Sequence, residues 1–184
     1  MKVFLTGATG FVGKHIAARL VEDGHQLRCL VRSEHSDESQ YLKGIGTEVV
    51  EGDILSVKSL ASGAAGCDIV IHLVGIIFER RGASFEQVHV EGTRNVLAAA
   101  SRAGVGRFVH MSALGTRADA ATAYHRTKWD AEEDVRASGL EYTIFRPSTI
   151  YGPGGEFLNM RLGPVRRLPV VTGIGNGRCR RTPV

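Results

Sequence analysis

Short apolar runs alternate with stretches of helical periodicity from the first residue of the chain. Val3-Phe4-Leu5 is apolar and gives way to glycine at Gly7. Val12, Ile16, Leu20 and Val21 then recur at helical spacing on one stripe, which ends at Gly24. Residues 26–31 read as a second strand, 33–39 as a polar, acidic loop, and 48–50 as a third strand. Residues 68–74 are nearly all apolar, as suits a parallel strand covered on both faces. The pattern then predicts a long helix over 85–102, a fifth strand over 105–111 and a helix over 121–137. A sixth strand over 142–145 is terminated by Arg146-Pro147.

Strands separated by helices imply right-handed crossovers and a parallel sheet. The predicted class is α/β, a doubly wound parallel sheet with helices on both faces. After Pro153 the periodicity fades and Gly, Pro and Arg become frequent. The expected division is therefore one domain over residues 1–153 and the start of a second, incomplete region over 154–184. No apolar run approaches the ~20 residues of a membrane-spanning helix, so no transmembrane segment is expected. Cys29, Cys67 and Cys179 are odd in number and widely spaced, which points to a reducing cytoplasm. The net charge of +4 belongs to the end of the chain. Six arginines follow Glu156 with no further acid, and without them the remainder carries −2. No aromatic residues are interleaved with those arginines, so the tail reads as an exposed segment and no nucleic-acid partner is expected.

The chemistry begins at the first turn, Gly7-Ala8-Thr9-Gly10-Phe11-Val12-Gly13. Gly7 permits a tight turn out of the strand, Gly10 a close approach of backbone to a phosphate, and Gly13 close packing of helix on sheet. The helix start then offers free N–H groups to a pyrophosphate. Following a strand and opening a helix, the turn predicts dinucleotide binding through Gly7, Thr9, Gly10, Phe11, Val12 and Gly13. The second strand ends Leu30-Val31-Arg32-Ser33, with no acid at its tip to bind a ribose 2′-OH. Arg32 suits a 2′-phosphate instead, favouring NADP(H), while nearby Glu34 keeps NAD(H) in play.

Tyr124 and Lys128 are four apart on a predicted helix and so lie one turn apart on one face. A neighbouring ammonium favours phenolate, so Lys128 is expected to lower the Tyr124 pKa and ready it for proton exchange with a substrate oxygen. Ser112, at the end of the fifth strand, is expected to hold that same oxygen.

With Gly52-Asp53-Ile54 and Arg146-Pro147-Ser148 added to these residues, the chain resembles a short-chain dehydrogenase/reductase of the extended or atypical type, the NAD-dependent epimerase/dehydratase group. Met111-Ser112-Ala113-Leu114-Gly115, Tyr124-His125-Arg126-Thr127-Lys128, and the stretch from Phe145 to Pro153 with Phe157-Leu158-Asn159 are similar to the NAD(P)-binding accessory subunit of respiratory complex I and its bacterial relatives. The resemblance implies a Rossmann-type sheet with the cofactor along its C-terminal edge. It implies Asp53 and Ile54 beside the adenine, Leu73, Val74 and Gly75 near the cofactor ribose, Lys128 on the nicotinamide ribose, and Pro147 with Ser148 near the nicotinamide. Asp53 is equally suited to capping a helix. It also implies a longer C-terminal substrate region than this chain carries.

Two functions follow. One is an oxidoreductase or epimerase/dehydratase acting on a small molecule through hydride transfer, with Tyr124, Lys128 and Ser112 moving and holding the proton. The other is a non-catalytic NADP(H)-binding module of the complex I accessory type. His72, His89, His110 and His125 lack shared metal-ligand spacing and are expected to be satisfied core or interface residues, with no metal site. Trp129 is expected to pack, and Asp130, Glu132, Glu133 and Asp134 to form a solvated helix face. Val88, Val96, Leu97 and residues 98–100 are a candidate homodimer stripe.

Overall fold

The computed structural model describes residues 1–152 and 155. The arginine-rich tail, Cys179 and Phe157-Leu158-Asn159 lie outside the described residues. The chain divides into two compact units, Met1–Arg146 and Pro147–Val184. In the second unit the Gly155 N–H donates to the Gly152 carbonyl at 3.0 Å.

Six parallel strands build the first unit: β1 (Lys2–Thr6), β2 (Gln26–Val31), β3 (Glu48–Glu51), β4 (Ile69–His72), β5 (Arg107–Met111) and β6 (Glu141–Phe145). Their order across the sheet is β3-β2-β1-β4-β5-β6. The chain moves outward from β1 to β3, then returns to the other side of β1 at β4. That reversal opens a crevice at the C-terminal ends of β1 and β4, where doubly wound sheets bind ligands. The expected Rossmann-type class is the observed one.

Five α-helices serve the crossovers: α1 (Phe11–Glu22), α2 (Asp37–Gly44), α3 (Val57–Ala64), α4 (Gly92–Arg102) and α5 (Ala123–Ala137). The long helix predicted over 85–102 begins as a π-helical turn, Glu86–Glu91, before continuing as α4. Residues 33–39 are not wholly a loop. Ser36 caps α2 by accepting from the Ser39 N–H at 3.2 Å, and Asp37 and Glu38 fill its first turn, where the helix dipole favours acids.

Side chains alternate across the strands, so each strand feeds two cores. Val3, Leu5, Cys29 and Val31 enter the core that buries Ala17 of α1 and Leu42 of α2. Phe4, Val70 and Phe108 point the other way and meet Leu60 of α3, Val96 and Leu97 of α4, and Val135 of α5. Val88, Val96, Leu97, Ala99 and Ala100 are thus consumed by the chain's own core. The homodimer stripe expected on these residues is corrected, because a partner could reach only the exposed Ala98 among them. Among the described residues no helix is long and apolar enough to cross a membrane.

The second core carries an unexpected polar rung. Two residues beyond Phe4, Val70 and Phe108 on the same face stand Thr6, His72 and His110, in register across β1, β4 and β5. Thr6 Oγ1 lies 2.7 Å from His72 Nδ1, and His72 stacks on His110 with ring centroids 5.6 Å apart. His110 is 1% exposed, yet neither of its ring nitrogens has a partner among the described residues. It therefore departs from the expectation of a satisfied core histidine. A buried polar group without a partner carries its full desolvation cost. Replacing His110 by Leu is expected to raise stability by about 1 kcal/mol, read as a higher urea midpoint at pH 7.5. A lower midpoint would mean that the ring contributes more by packing than its bare nitrogens cost.

Candidate functional site

The turns that leave β1, β2, β3 and β4 at the sheet's C-terminal edge line one cleft of about 330 Å³. Gly7 leaves β1 with φ +81°, a conformation L side chains rarely adopt, and its N-terminal strand is anchored by Thr6 below. A Cβ on Gly13 would stand 2.1 Å from the Gly7 carbonyl oxygen, so only glycine lets α1 start this close to the turn. Gly10 is the α1 N-cap, with no side-chain cap, and Phe11 and Val12 begin the helix with no acid in its first turn. The N–H groups of that turn are left to accept an anion from outside the chain.

Gly7, Thr9 and Gly10 line the cleft beside Arg32, Asp53, Ile54, Leu73, Val74 and Gly75. Sequence reasoning named all of these, and the fold brings them to one place. Arg32 also borders a second opening of about 540 Å³ that it shares with Asp53 and Lys58. Glu34 is committed elsewhere, since its carboxylate pairs with Lys43 Nζ at 3.0 Å. Asp53 does not cap α3, whose N-cap is Ser56. Its Oδ1 accepts from the Leu55 N–H at 2.8 Å, closing a tight turn that keeps the carboxylate at the cleft. Ile54 is buried beneath Gly92, where a Cβ would meet its Cδ1 at 2.4 Å. Pro147 and Ser148 belong to the second unit.

Tyr124 and Lys128 stand one turn apart on α5, whose N-cap Thr122 accepts from the His125 N–H. Lys128 is 4% exposed; its Nζ donates to the Met111 carbonyl at 3.0 Å and lies 3.0 Å from where a Gly75 Cβ would be. Burial pushes its ammonium down to about 8, with Glu132 working in the opposite direction. The Tyr124 phenol is pushed above its ordinary value of 10 by burial. The expectation that Lys128 lowers the Tyr124 pKa is therefore corrected: the ammonium addresses backbone at Met111 and Gly75, and desolvation dominates the phenol.

Ser112 is 4% exposed, and its Oγ lies 3.4 Å from Thr116 Oγ1. Behind it stands Glu132, whose side chain is fully buried and not on a solvated face. Burial pushes this carboxyl up, but hydrogen bonds from Arg146, Ser112 and Arg136 outweigh that and hold it below the usual range. Arg136 and Arg146 both grip Glu132 while lying over the Trp129 ring at 5.1 and 5.7 Å, so Trp129 packs as part of an ionic clasp. A carboxylate at helical position i with Arg at i+4, followed by Arg at the next strand's end, was the sequence signal for this clasp.

Sequence reasoning also missed the polar core under the cleft. His89 and His72 are hydrogen-bonded on both edges. The signal was present as apolar-x-polar endings on three strands, Phe4-Leu5-Thr6, Val70-Ile71-His72 and Phe108-Val109-His110.

Comparison with known proteins agrees with this geometry. A family described as NAD(P)H-binding matches residues 7–158. The chain is 37% identical over 152 residues to a ceramide reductase of Caulobacter vibrioides, covering 83% of this chain and 47% of that protein. It is 29% identical over 170 residues to the mitochondrial NADH-ubiquinone oxidoreductase 40 kDa subunit of Neurospora crassa, covering 91% of this chain and 45% of that subunit. A short-chain dehydrogenase/reductase superfamily protein of Agrobacterium tumefaciens, solved with bound NAD, superposes with a TM-score of 0.68 at 29% identity, over 82% of this chain and 50% of that one. The chain spans about half the length of the curated relatives it matches.

Proposed function

This chain belongs to the NAD(P)H-binding family of extended short-chain dehydrogenases/reductases, and from that premise we propose that it is the cofactor-binding part of a carbonyl reductase that prefers NADP(H). The observation that carries the reading is the placement of Tyr124 one helical turn from the buried Lys128 on α5, with Lys128 Nζ on the Met111 carbonyl. A protonated phenol is poised to give a proton, which is the acid's part in reducing a carbonyl. When bound, reduced nicotinamide supplies the hydride to the carbonyl carbon. Tyr124 Oη gives its proton to the carbonyl oxygen, leaving an alcohol and a phenolate. The phenolate then takes a proton from solvent, while Lys128, donating to the Met111 carbonyl, holds the backbone beside the pair in place.

The glycine turn seats the pyrophosphate, Asp53 and Ile54 border the adenine, and Leu73, Val74 and Gly75 face the ribose. Arg32 supports NADP(H), because it borders the cleft with no ion pair among the described residues, whereas Glu34 is held by Lys43. The relative named as a ceramide reductase supports the direction of reaction. The likeness to the 40 kDa subunit favours a second reading, a bound-cofactor module without turnover.

The test joins ligand stabilisation with Tyr124→Phe. NADPH at ~100 times its Kd adds about 2.7 kcal/mol to a protein that binds it only when folded. A clear rise in melting temperature with NADPH and a smaller one with NADH is expected. Tyr124→Phe should keep that rise and lower NADPH-dependent reduction of ketone substrates by roughly 10²–10⁴-fold. Retained cofactor binding without any Tyr124-dependent turnover selects the bound-cofactor module. No rise with either nucleotide overturns both readings.

A further inference from the structure

Three large apolar side chains stand in the open around Tyr124. Ile77, Phe78 and Leu114 are each more than half exposed, although the chain buries apolar residues of the same size in two cores. Exposed apolar residues scattered singly are ordinary, whereas a group of them marks a binding surface. Ile77 and Phe78 lie in the loop that follows β4, and Leu114 in the loop that follows β5. These strands are neighbours in the sheet, so the two loops leave its C-terminal edge side by side.

Backbone and ring contacts fix where the three stand. The Ile76 nitrogen and the Ile76 carbonyl oxygen each lie 3.1 Å from His89 Nε2. Farther along the loop, Glu79 Oε1 accepts from the Phe85 N–H at 2.8 Å. Tyr124 packs edge-to-face with both rings, 5.4 Å from His89 and 5.8 Å from Phe85. The segment carrying Ile77 and Phe78 is thus pinned at either end to the two rings against which the Tyr124 phenol rests. Arg80 and Arg81 follow in a separate hairpin, closed by reciprocal backbone bonds between Arg80 and Ala83. Leu114 sits in a tight turn closed by the Thr116 N–H on the Ala113 carbonyl at 3.2 Å, with Gly115 at φ +91°. A Cβ on Gly115 would lie 3.5 Å from His125 Nε2, and His125 stands edge-to-face with Tyr124 at 5.0 Å. Turns of this kind favour Gly, Pro, Asn, Asp and Ser, yet this one presents a leucine.

We propose that Ile77, Phe78 and Leu114 receive an aliphatic chain of the substrate, which makes the substrate class a ketone carrying an alkyl tail of several carbons. The proposal rests on reading Tyr124 as the acid of a carbonyl reductase. A carbonyl oxygen that reaches the Tyr124 phenol leaves the rest of its molecule at the mouth between the β4 and β5 loops, where these side chains stand. A sugar or other polyol placed there would give up water to three groups that cannot hydrogen-bond, an unfavourable exchange. A methylene chain gains from the same contact, by roughly fourfold in affinity for each methylene fully buried. The cleft on the other side offers the opposite chemistry, with Thr9, Arg32 and Asp53 lining the space assigned to the nucleotide. The sheet edge is divided accordingly: a polar seat for the cofactor beside β1 to β3, and an apolar one for the substrate tail beyond β4 and β5.

The experiment uses the full chain and a series of methyl ketones from methyl ethyl ketone to methyl octyl ketone. One readout is kcat/KM with NADPH. The other is the affinity of the same ketones for the chain without nucleotide, by calorimetry. Both are expected to rise along the series by about two- to fourfold per methylene. Ile77→Ser, Phe78→Ser and Leu114→Ser replace exposed side chains, so each variant should fold with little change in stability. Each should lower the preference for methyl octyl over methyl ethyl ketone by roughly threefold or more. Tyr41→Ser, at an exposed aromatic position on α2, is the control and should leave that preference unchanged. A series that is flat in both readouts overturns the proposal. So does a rising series that all three serine variants leave intact, because the tail then lies elsewhere on the chain. If NADPH binds and no ketone is reduced, the reductase reading fails, while the affinity series still decides whether these three residues hold an alkyl chain.

Discussion

Lowering the pH from 7 to 5 is expected to cost this fold about 4 kcal/mol of stability from His89 and His110, about 2 kcal/mol each, with His72 adding to it in the same direction. Burial, reinforced by the positive charge of Lys128, holds His89 and His110 down to about 3. Burial also drives His72 well below its ordinary 6.5, with His110 and Lys128 adding to the effect. The sign follows from proton counting. Between pH 6.5 and about 3 the unfolded chain binds a proton at His89 and at His110 and the folded chain does not, and His72 shifts in the same direction, so acid pulls the equilibrium toward unfolding. The contribution is fully present above 6.5 and is lost as the pH falls through that window. Carboxylates do not imitate the effect, because those held below their ordinary value, Glu132 among them, exchange protons only at lower pH. Domains commonly have 5–15 kcal/mol in hand, so unfolding should set in near pH 5. Urea midpoints measured from pH 8 to 5 provide the check, and His110→Leu should remove about 2 kcal/mol of the loss between pH 7 and 5. A flat profile across that range would show that the three rings titrate alike in folded and unfolded chains.

The same three rings explain why part of the site was hidden from sequence. Repeated spacings were legible. The glycine turn was read from Gly7, Gly10 and Gly13, and the Tyr124–Lys128 pair from one helical turn of separation. The six strands followed from apolar runs, and each was found within a few residues of its ends. What did not follow were features that exist only between elements. Thr6, His72 and His110 are 66 and 38 residues apart along the chain and become neighbours only through the order of the sheet. Glu132 reads as one acid among four on a polar helix, until the end of β6 brings Arg146 to it. Ser112 was legible at the sheet edge where ligands bind, but its approach to Thr116 Oγ1 was not. The short helices α2 and α3 carry too few turns for periodicity to register, and only the Ser36 cap with Asp37 and Glu38 marked the first of them.

Gly13→Ala should abolish the site and damage the fold that carries it. Its Cβ would lie 2.1 Å from the Gly7 oxygen, 2.7 Å from Ala8 Cα and 2.9 Å from the Ala8 carbonyl carbon. All three are backbone atoms, so no side chain can swing aside, and α1 must move away from the turn. Overpacking of this kind costs about 2–3 kcal/mol. Moving the first turn of α1 also withdraws the N–H groups meant for the pyrophosphate, so NADPH affinity should fall roughly 100-fold, about 2.8 kcal/mol of binding. Gly44→Ala is the matched control. That glycine ends α2 at negative φ, with nothing within 4 Å of an added Cβ, so alanine should stabilise the chain by about 0.4–1 kcal/mol and leave affinity unchanged. Urea unfolding and calorimetric titration with NADPH on both variants separate the two effects. If Gly13→Ala loses stability yet keeps NADPH affinity, the phosphate seat is not at this turn, and the role assigned to the start of α1 must pass to another part of the cleft.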